Sequence, residues 1–143
     1  MKTILALASL AVLCSCASQP AGPTLDELES ARYQVTERRR LPIDFPAVQQ
    51  NLFRHAAVCD QTYTFEMDPR QSSYARVVYR PTPAAGWDKA VVLTLTLLQN
   101  RSINVKAYSY HAGQLDRVRE MLTAMMKPDA CGIDNSWENK INF

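Results

Sequence analysis

Between residues 61 and 110 the chain alternates apolar and polar side chains in four successive segments, and a helical stripe stands on either side of that stretch. Few folds satisfy this pattern. In residues 61–67, Tyr63, Phe65 and Met67 alternate with Thr62, Thr64 and Glu66, the period-two signature of a half-buried strand. Residues 74–80 set Ala75, Val77 and Tyr79 against Arg76, Val78 and Arg80. Residues 87–99 hold the run AVVLTLTLL, in which Val91, Leu93, Leu95 and Leu97 share one face. Its other face carries Val92, Thr94, Thr96 and Leu98, and this β-branched content favours strand over helix. Residues 102–110 return with Ile103, Val105 and Ala107 against Asn104, Lys106 and Tyr108. The breaks at residues 68–73, 81–86 and 100–101 are turn-like and too short for crossovers. Sequential strands joined this way pair antiparallel as a meander.

The flanking stripes predict two helices. Phe45, Val48, Leu52, Ala56 and Cys59 fall at steps of three and four, and Pro46 suits a first helical turn, so residues 46–58 are expected to be helical. Leu115, Val118, Leu122 and Met125 repeat the pattern over residues 113–126, ended by Lys127 and Pro128. Upstream, Thr24 to Glu27 has the capping-box form and starts a short helix with Leu25, Leu28 and Ala31 on one side. Residues 32–37 alternate through Tyr33 and Val35 and read as a first edge strand, closed by Arg38, Arg39 and Arg40. The order is (β)-α-β-β-β-β-α. It predicts an α+β two-layer sandwich, a four- to five-stranded antiparallel meander sheet with two helices on one face. Residues 24–143 form a single domain, whose tail from Cys131 lacks periodicity and is held chiefly at that cysteine.

The first seventeen residues, MKTILALASLAVLCSCA, are of another kind. Lys2 supplies a positive start, and residues 4–13 form an apolar stretch too short to span a hydrocarbon core of ~30 Å. This is the build of an export signal. Leu13-Cys14-Ser15-Cys16 resembles the lipobox of bacterial lipoproteins, with an aliphatic residue three before the cysteine and a small one just before it. Cys16 fits better than Cys14, whose preceding residue is the bulky Leu13. The resemblance implies removal of residues 1–15, lipid on Cys16 and a lipidated tether over residues 16–23. Acyl chains hold a protein to a bilayer at about 0.8 kcal/mol per buried methylene. Ala17 and Ser18 follow the cysteine, with no aspartate next to it. By resemblance to lipoprotein sorting rules, that implies the periplasmic face of the outer membrane rather than the inner membrane.

With Cys14 discarded and Cys16 lipidated, Cys59 and Cys131 remain, and an even pair in an oxidising compartment is most simply a disulfide. Closing so long a loop is worth about 4 kcal/mol in the chain-entropy model. His55 and Cys59 stand four residues apart, as two metal ligands on a helix face would, yet the rest of such a site shows no motif. No metal or other cofactor is expected.

Chemistry is sparse elsewhere. Four glycines leave little material for a phosphate loop, and no nucleophile elbow is present. His111 could serve as a general base, but no motif assembles partners around it, and the carboxylates are scattered. The sequence predicts no catalytic residues and no enzyme. A net charge of +2 is too small to argue for nucleic acid, and a 47% hydrophobic fraction argues against global disorder.

Two surface features suggest binding. Arg38, Arg39 and Arg40 could meet anionic headgroups, lipopolysaccharide phosphates or an acidic partner, or could be a solvated connector. Tyr74, Arg76 and Arg80 line the polar side of one strand, and Lys106, Tyr108 and Tyr110 extend that side if the hairpins pair. Tyrosine and arginine are the residues enriched at binding hot spots.

The leading expectation is therefore a non-enzymatic, membrane-anchored periplasmic lipoprotein. It would bind an envelope protein or lipopolysaccharide, as an accessory of outer-membrane assembly or maintenance. The architecture resembles small accessory lipoproteins of outer-membrane assembly and lipopolysaccharide export, an analogy at the level of fold. An inhibitor or immunity-like lipoprotein that blocks a hydrolase with one loop is the second expectation. A carrier of a soluble ligand is the third, and it would need a cavity between helices and sheet.

Overall fold

A computed structural model describes residues 22–36 and 39–136. The expected signal peptide, Cys14, Cys16, residues 16–21 of the tether, Arg38 and the last seven residues of the tail lie outside the described residues.

Asp44 starts the longest helix, its carboxylate accepting a hydrogen bond from the Ala47 amide at 3.1 Å. This helix, Phe45–Cys59, ends at Asp60 in a left-handed conformation, φ 50°. It buries Phe45, Val48, Leu52 and His55, so the stripe passes through His55 rather than Ala56. Leu115–Met126 forms the second long helix, entered through a 3-10 turn at Ala112–Gln114, and buries Val118, Met121, Leu122 and Met125. The Asn51 side-chain amide donates to the Met125 carbonyl at 2.6 Å, tying the two helices side by side. The expected Cys59–Cys131 disulfide is present, with Cα atoms 5.3 Å apart.

With Leu25–Leu28 as α1, these helices are α2 and α3. The strands are β1 (Arg39–Leu41), β2 (Thr64–Met67), β3 (Tyr74–Tyr79), β4 (Val91–Leu97) and β5 (Ile103–Ser109). All pairs are antiparallel, and the spatial order is β1-β5-β4-β3-β2. The α+β class holds, but the sheet is not a simple meander. Strands β2 to β5 follow one another, whereas β1 lies at the far edge beside β5. Helix α2 makes that return. Its 15 residues span about 22 Å at the usual rise, against about 19 Å for the four inter-strand gaps.

The first strand also lies later than the alternation of residues 32–37 suggests. Ala31–Tyr33 is a 3-10 turn, Gln34 makes a single bridge to Tyr108, and pairing as a strand begins only at Arg39. The turn puts Tyr33 and Val35 on opposite sides of the sheet. Val35 packs on the main core, while Tyr33 meets Tyr110 on the other side, the rings tilted by 48° with centroids 4.1 Å apart. Leu41, fully buried, anchors the actual strand.

Both long helices cover one sheet face, where Val77, Leu93, Leu95, Ile103 and Val105 meet Val48, Leu52, Met121 and Met125. Large side chains occupy that interface. The opposite face is not simply open, as a two-layer sandwich would leave it. Leu28 of α1 is fully buried there in a second cluster with Val78, Ala90, Val92 and Tyr108. The tail has more anchorage than its cysteine: the Asp134 carboxylate accepts from Lys127 Nζ at 2.9 Å, and the Asp134 amide donates to Thr123 Oγ1 at 3.1 Å. Hydrogen bonds from Ser136 and then Lys127 hold that carboxyl well below the usual carboxylate range. Among the described residues no helix is long and apolar enough to cross a membrane.

Candidate functional site

Alternation along paired strands sets the helix-free face out in three rows. The first reads Arg40, Asn104, Thr96 and Tyr74; the second reads Lys106, Thr94, Arg76 and Glu66; the third reads Tyr108, Val92, Val78 and Thr64. Only the third row is largely apolar, and that row is the one α1 covers. The first two rows carry no aliphatic residue, and the threonines among them, being β-branched, suit the central strand without a hydrophobic cover.

Between these polar rows lies a recess of about 250 Å³ lined by Tyr74, Thr94, Thr96, Asn104, Lys106 and Tyr108. Lys106 makes no ion pair among the described residues, and no carboxylate lines the recess. At one rim Arg40 Nε donates to Ser102 Oγ at 3.0 Å, and Ser102 donates in turn to Asn100 Oδ1 at 2.6 Å. At the other, Arg76 grips Glu29 of the covering segment through Nε–Oε1 and through Nη2–Oε2 at 3.0 Å. The Tyr74 hydroxyl donates to the same carboxylate at 3.4 Å. The Glu29 hydrogen bonds raise the Arg76 pKa further, keeping the guanidinium charged, while burial and then the Glu29 charge raise that of the Tyr74 phenol.

The structure therefore divides the residues singled out from sequence. Tyr74 and Arg76 belong together at the recess. Arg80 does not: its guanidinium stacks over Trp87 at 3.8 Å, beside a separate groove near residues 81–83. The basic run is also split. Arg40 is on the outer face opposite Asn104, whereas Arg39 takes a core-face register position opposite Val105. Arg39 and Arg40 therefore do not share a face of this strand, because successive strand residues point to opposite faces.

Lys106 was legible as an extension of the tyrosine–arginine side. Asn104, Thr94 and Thr96 were not singled out, although their alternation in the two central strands was visible. Nothing in the sequence nominates Glu29, whose partner lies 47 residues away.

The other residues singled out from sequence make contacts within the domain. His55 is buried, donates from Nδ1 to the Pro128 carbonyl at 3.0 Å and stacks on Tyr63. Cys59 is committed to its disulfide, and no three His, Cys, Asp or Glu side chains come together as a metal site among the described residues. The backbone amide of His111 donates to Ser109 Oγ at 3.2 Å. No model of a known protein family matches the chain, and no curated protein matches it.

Proposed function

We propose that this chain is a non-enzymatic lipoprotein of the bacterial cell envelope, anchored through Cys16. It holds another envelope component with the uncovered part of its outer sheet face. The observation that carries the reading is the recess itself. It offers one lysine, neutral hydroxyls and an amide, and no carboxylate among its lining residues; Arg40 and Arg76 are register neighbours of that lining, Arg76 being paired with Glu29. Such a surface favours an anionic, hydrogen-bonding partner, and its charges speed the encounter as well as strengthening it.

The anchor supplies the location. Eight chain steps, with seven residues between, separate Cys16 from Thr24, whose side chain caps α1 by accepting from the Glu27 amide at 3.2 Å. Fully extended, they reach about 27 Å. The helix that follows the tether, α1, packs on the same side of the sheet as the recess, so a lipid on Cys16 would keep that face close to the membrane. Resemblance to lipoprotein sorting rules, with no aspartate directly after Cys16, supports residence on the periplasmic face of the outer membrane.

Two experiments test this. Metabolic labelling with a palmitate analogue should mark the protein and fail with Cys16→Ala; label that survives the substitution defeats the anchor. Affinity capture from solubilised envelopes should recover a component with the wild type that is lost with Thr96→Arg/Lys106→Glu. Equal recovery from both proteins defeats the assignment of the binding face.

A further inference from the structure

We propose that the recess binds a phosphate group carried on a sugar, and that Glu29 of the N-terminal segment is its built-in competitor for Arg76. This rests on the outer face being the binding surface, and names the ligand class that surface takes.

The lining decides the chemistry. Lys106 brings a compact ammonium with three donors, and Thr94, Thr96, Asn104 and the tyrosine hydroxyls bring neutral donors and acceptors. A phosphate satisfies the cation and its neighbouring donors. The remaining hydroxyl and amide groups suit a polyol better than an aliphatic or aromatic group, for which apolar walls are wanted. At about 250 Å³ the recess falls below the roughly 300–1,000 Å³ of sites for larger ligands, so its occupant is a single ring or small group.

Competition follows from register. Arg76 and Lys106 are both paired across the sheet with Thr94, one on each side of it, so an anion over Thr94 lies between the two cations. The guanidinium fork fits a carboxylate and a phosphate equally well. In the present arrangement it is engaged by Glu29, and the side chains of that pair are only 19% and 14% exposed. A phosphate reaching Arg76 must displace Glu29. The segment it holds is short: α1 has four residues, and Leu28 is its one fully buried side chain. Ligand entry and release of the segment are therefore coupled, and linkage requires each to promote the other by the same factor.

The test uses the full-length protein and calorimetric titration with N-acetylglucosamine 1-phosphate. N-acetylglucosamine and inorganic phosphate serve as separate probes. The expected result is saturable binding of the sugar phosphate, at least tenfold tighter than either fragment and lost with Lys106→Ala. Glu29→Gln should tighten binding about tenfold, within the usual range of coupling between sites. Glu27→Gln, the same charge change elsewhere in the segment, should leave affinity unchanged. Saturating ligand should also speed amide exchange in residues 24–33.

Inorganic phosphate binding as tightly as the sugar phosphate overturns the sugar assignment. An effect of Glu27→Gln equal to that of Glu29→Gln overturns the competition, since charge alone then suffices. Absence of binding by both wild type and Glu29→Gln, with unaltered thermal melting, overturns the site. If envelope capture still depends on Thr96 and Lys106 in that case, this inference fails while the assignment of the binding face stands.

Discussion

On one face of the sheet, Val77, Leu93, Leu95, Ile103 and Val105 meet helices of 15 and 12 residues. On the other, Val78, Val92 and Tyr108 meet a helix of four. The first cover is also locked by a disulfide 72 residues apart in sequence, whereas the second is held by one buried leucine, neighbouring rings and a carboxylate–guanidinium grip. Isolated helices shorter than roughly 12–15 residues are marginal in water, so α1 exists because the sheet holds it. The contrast predicts a division of labour: one face should store most of the stability, and the cover of the other should open without unfolding the domain.

Substitutions can break this contrast. The largest loss is expected on the helical face, where Cys59→Ser/Cys131→Ser should cost about 4 kcal/mol, read from urea unfolding under oxidising conditions. Leu93→Ala, at a fully buried site in the central strand, should cost about 3 kcal/mol in the same assay. Removing Arg76 with Arg76→Ala leaves the Glu29 carboxylate partly buried without its guanidinium, at a cost on the order of 2 kcal/mol. Unlike the first two, it should act locally. Protease cleavage and amide exchange should rise in residues 24–36 while α2 and α3 stay protected. Uniform loss of protection across both faces would remove the contrast.

A smaller effect tests the same contrast from solution conditions. Burial beneath the helices pushes the Tyr63 phenol up to about 12, with Arg117 offsetting part of the shift. Because the folded value lies above the unfolded one, the associated stability is fully present below about pH 10. It is lost as the pH rises through about 12. Ultraviolet titration should show a late tyrosine that disappears in Tyr63→Phe. Smallest of all should be Arg54→Ala. Its ion pair with Asp129, at 2.6 Å, is more than half exposed on both sides, so it should change stability by less than about 1 kcal/mol.

Much of the helical face was legible in the sequence, because each of its elements is long enough to show a period. The run through Phe45, Val48 and Leu52 marks α2, the alternation through Leu93 and Leu95 marks β4, and an even cysteine count leads to the disulfide. The other face was harder to read. Strand β1 has three residues, too few for a period, and two of them are arginines. The 3-10 turn at Ala31–Tyr33 breaks an alternation that otherwise resembles a strand. The grip between Glu29 and Arg76 is a long-range pairing of two common surface residues, and local sequence carries no trace of it. The candidate site was half legible for the same reason: Tyr74, Arg76 and Lys106 stand out as residue types, whereas Asn104, Thr94 and Thr96 gain meaning only once the register is known.

The central claim is that the uncovered outer face binds and the helical face does not. Photo-activatable side chains placed singly at Thr96, on the rim of the recess, and at Phe53, an exposed position on α2, compare the two faces in intact envelopes. Cross-links to one discrete envelope component from position 96, with none from position 53, are the predicted result. The same component cross-linked from position 53 but not from position 96 would contradict the claim.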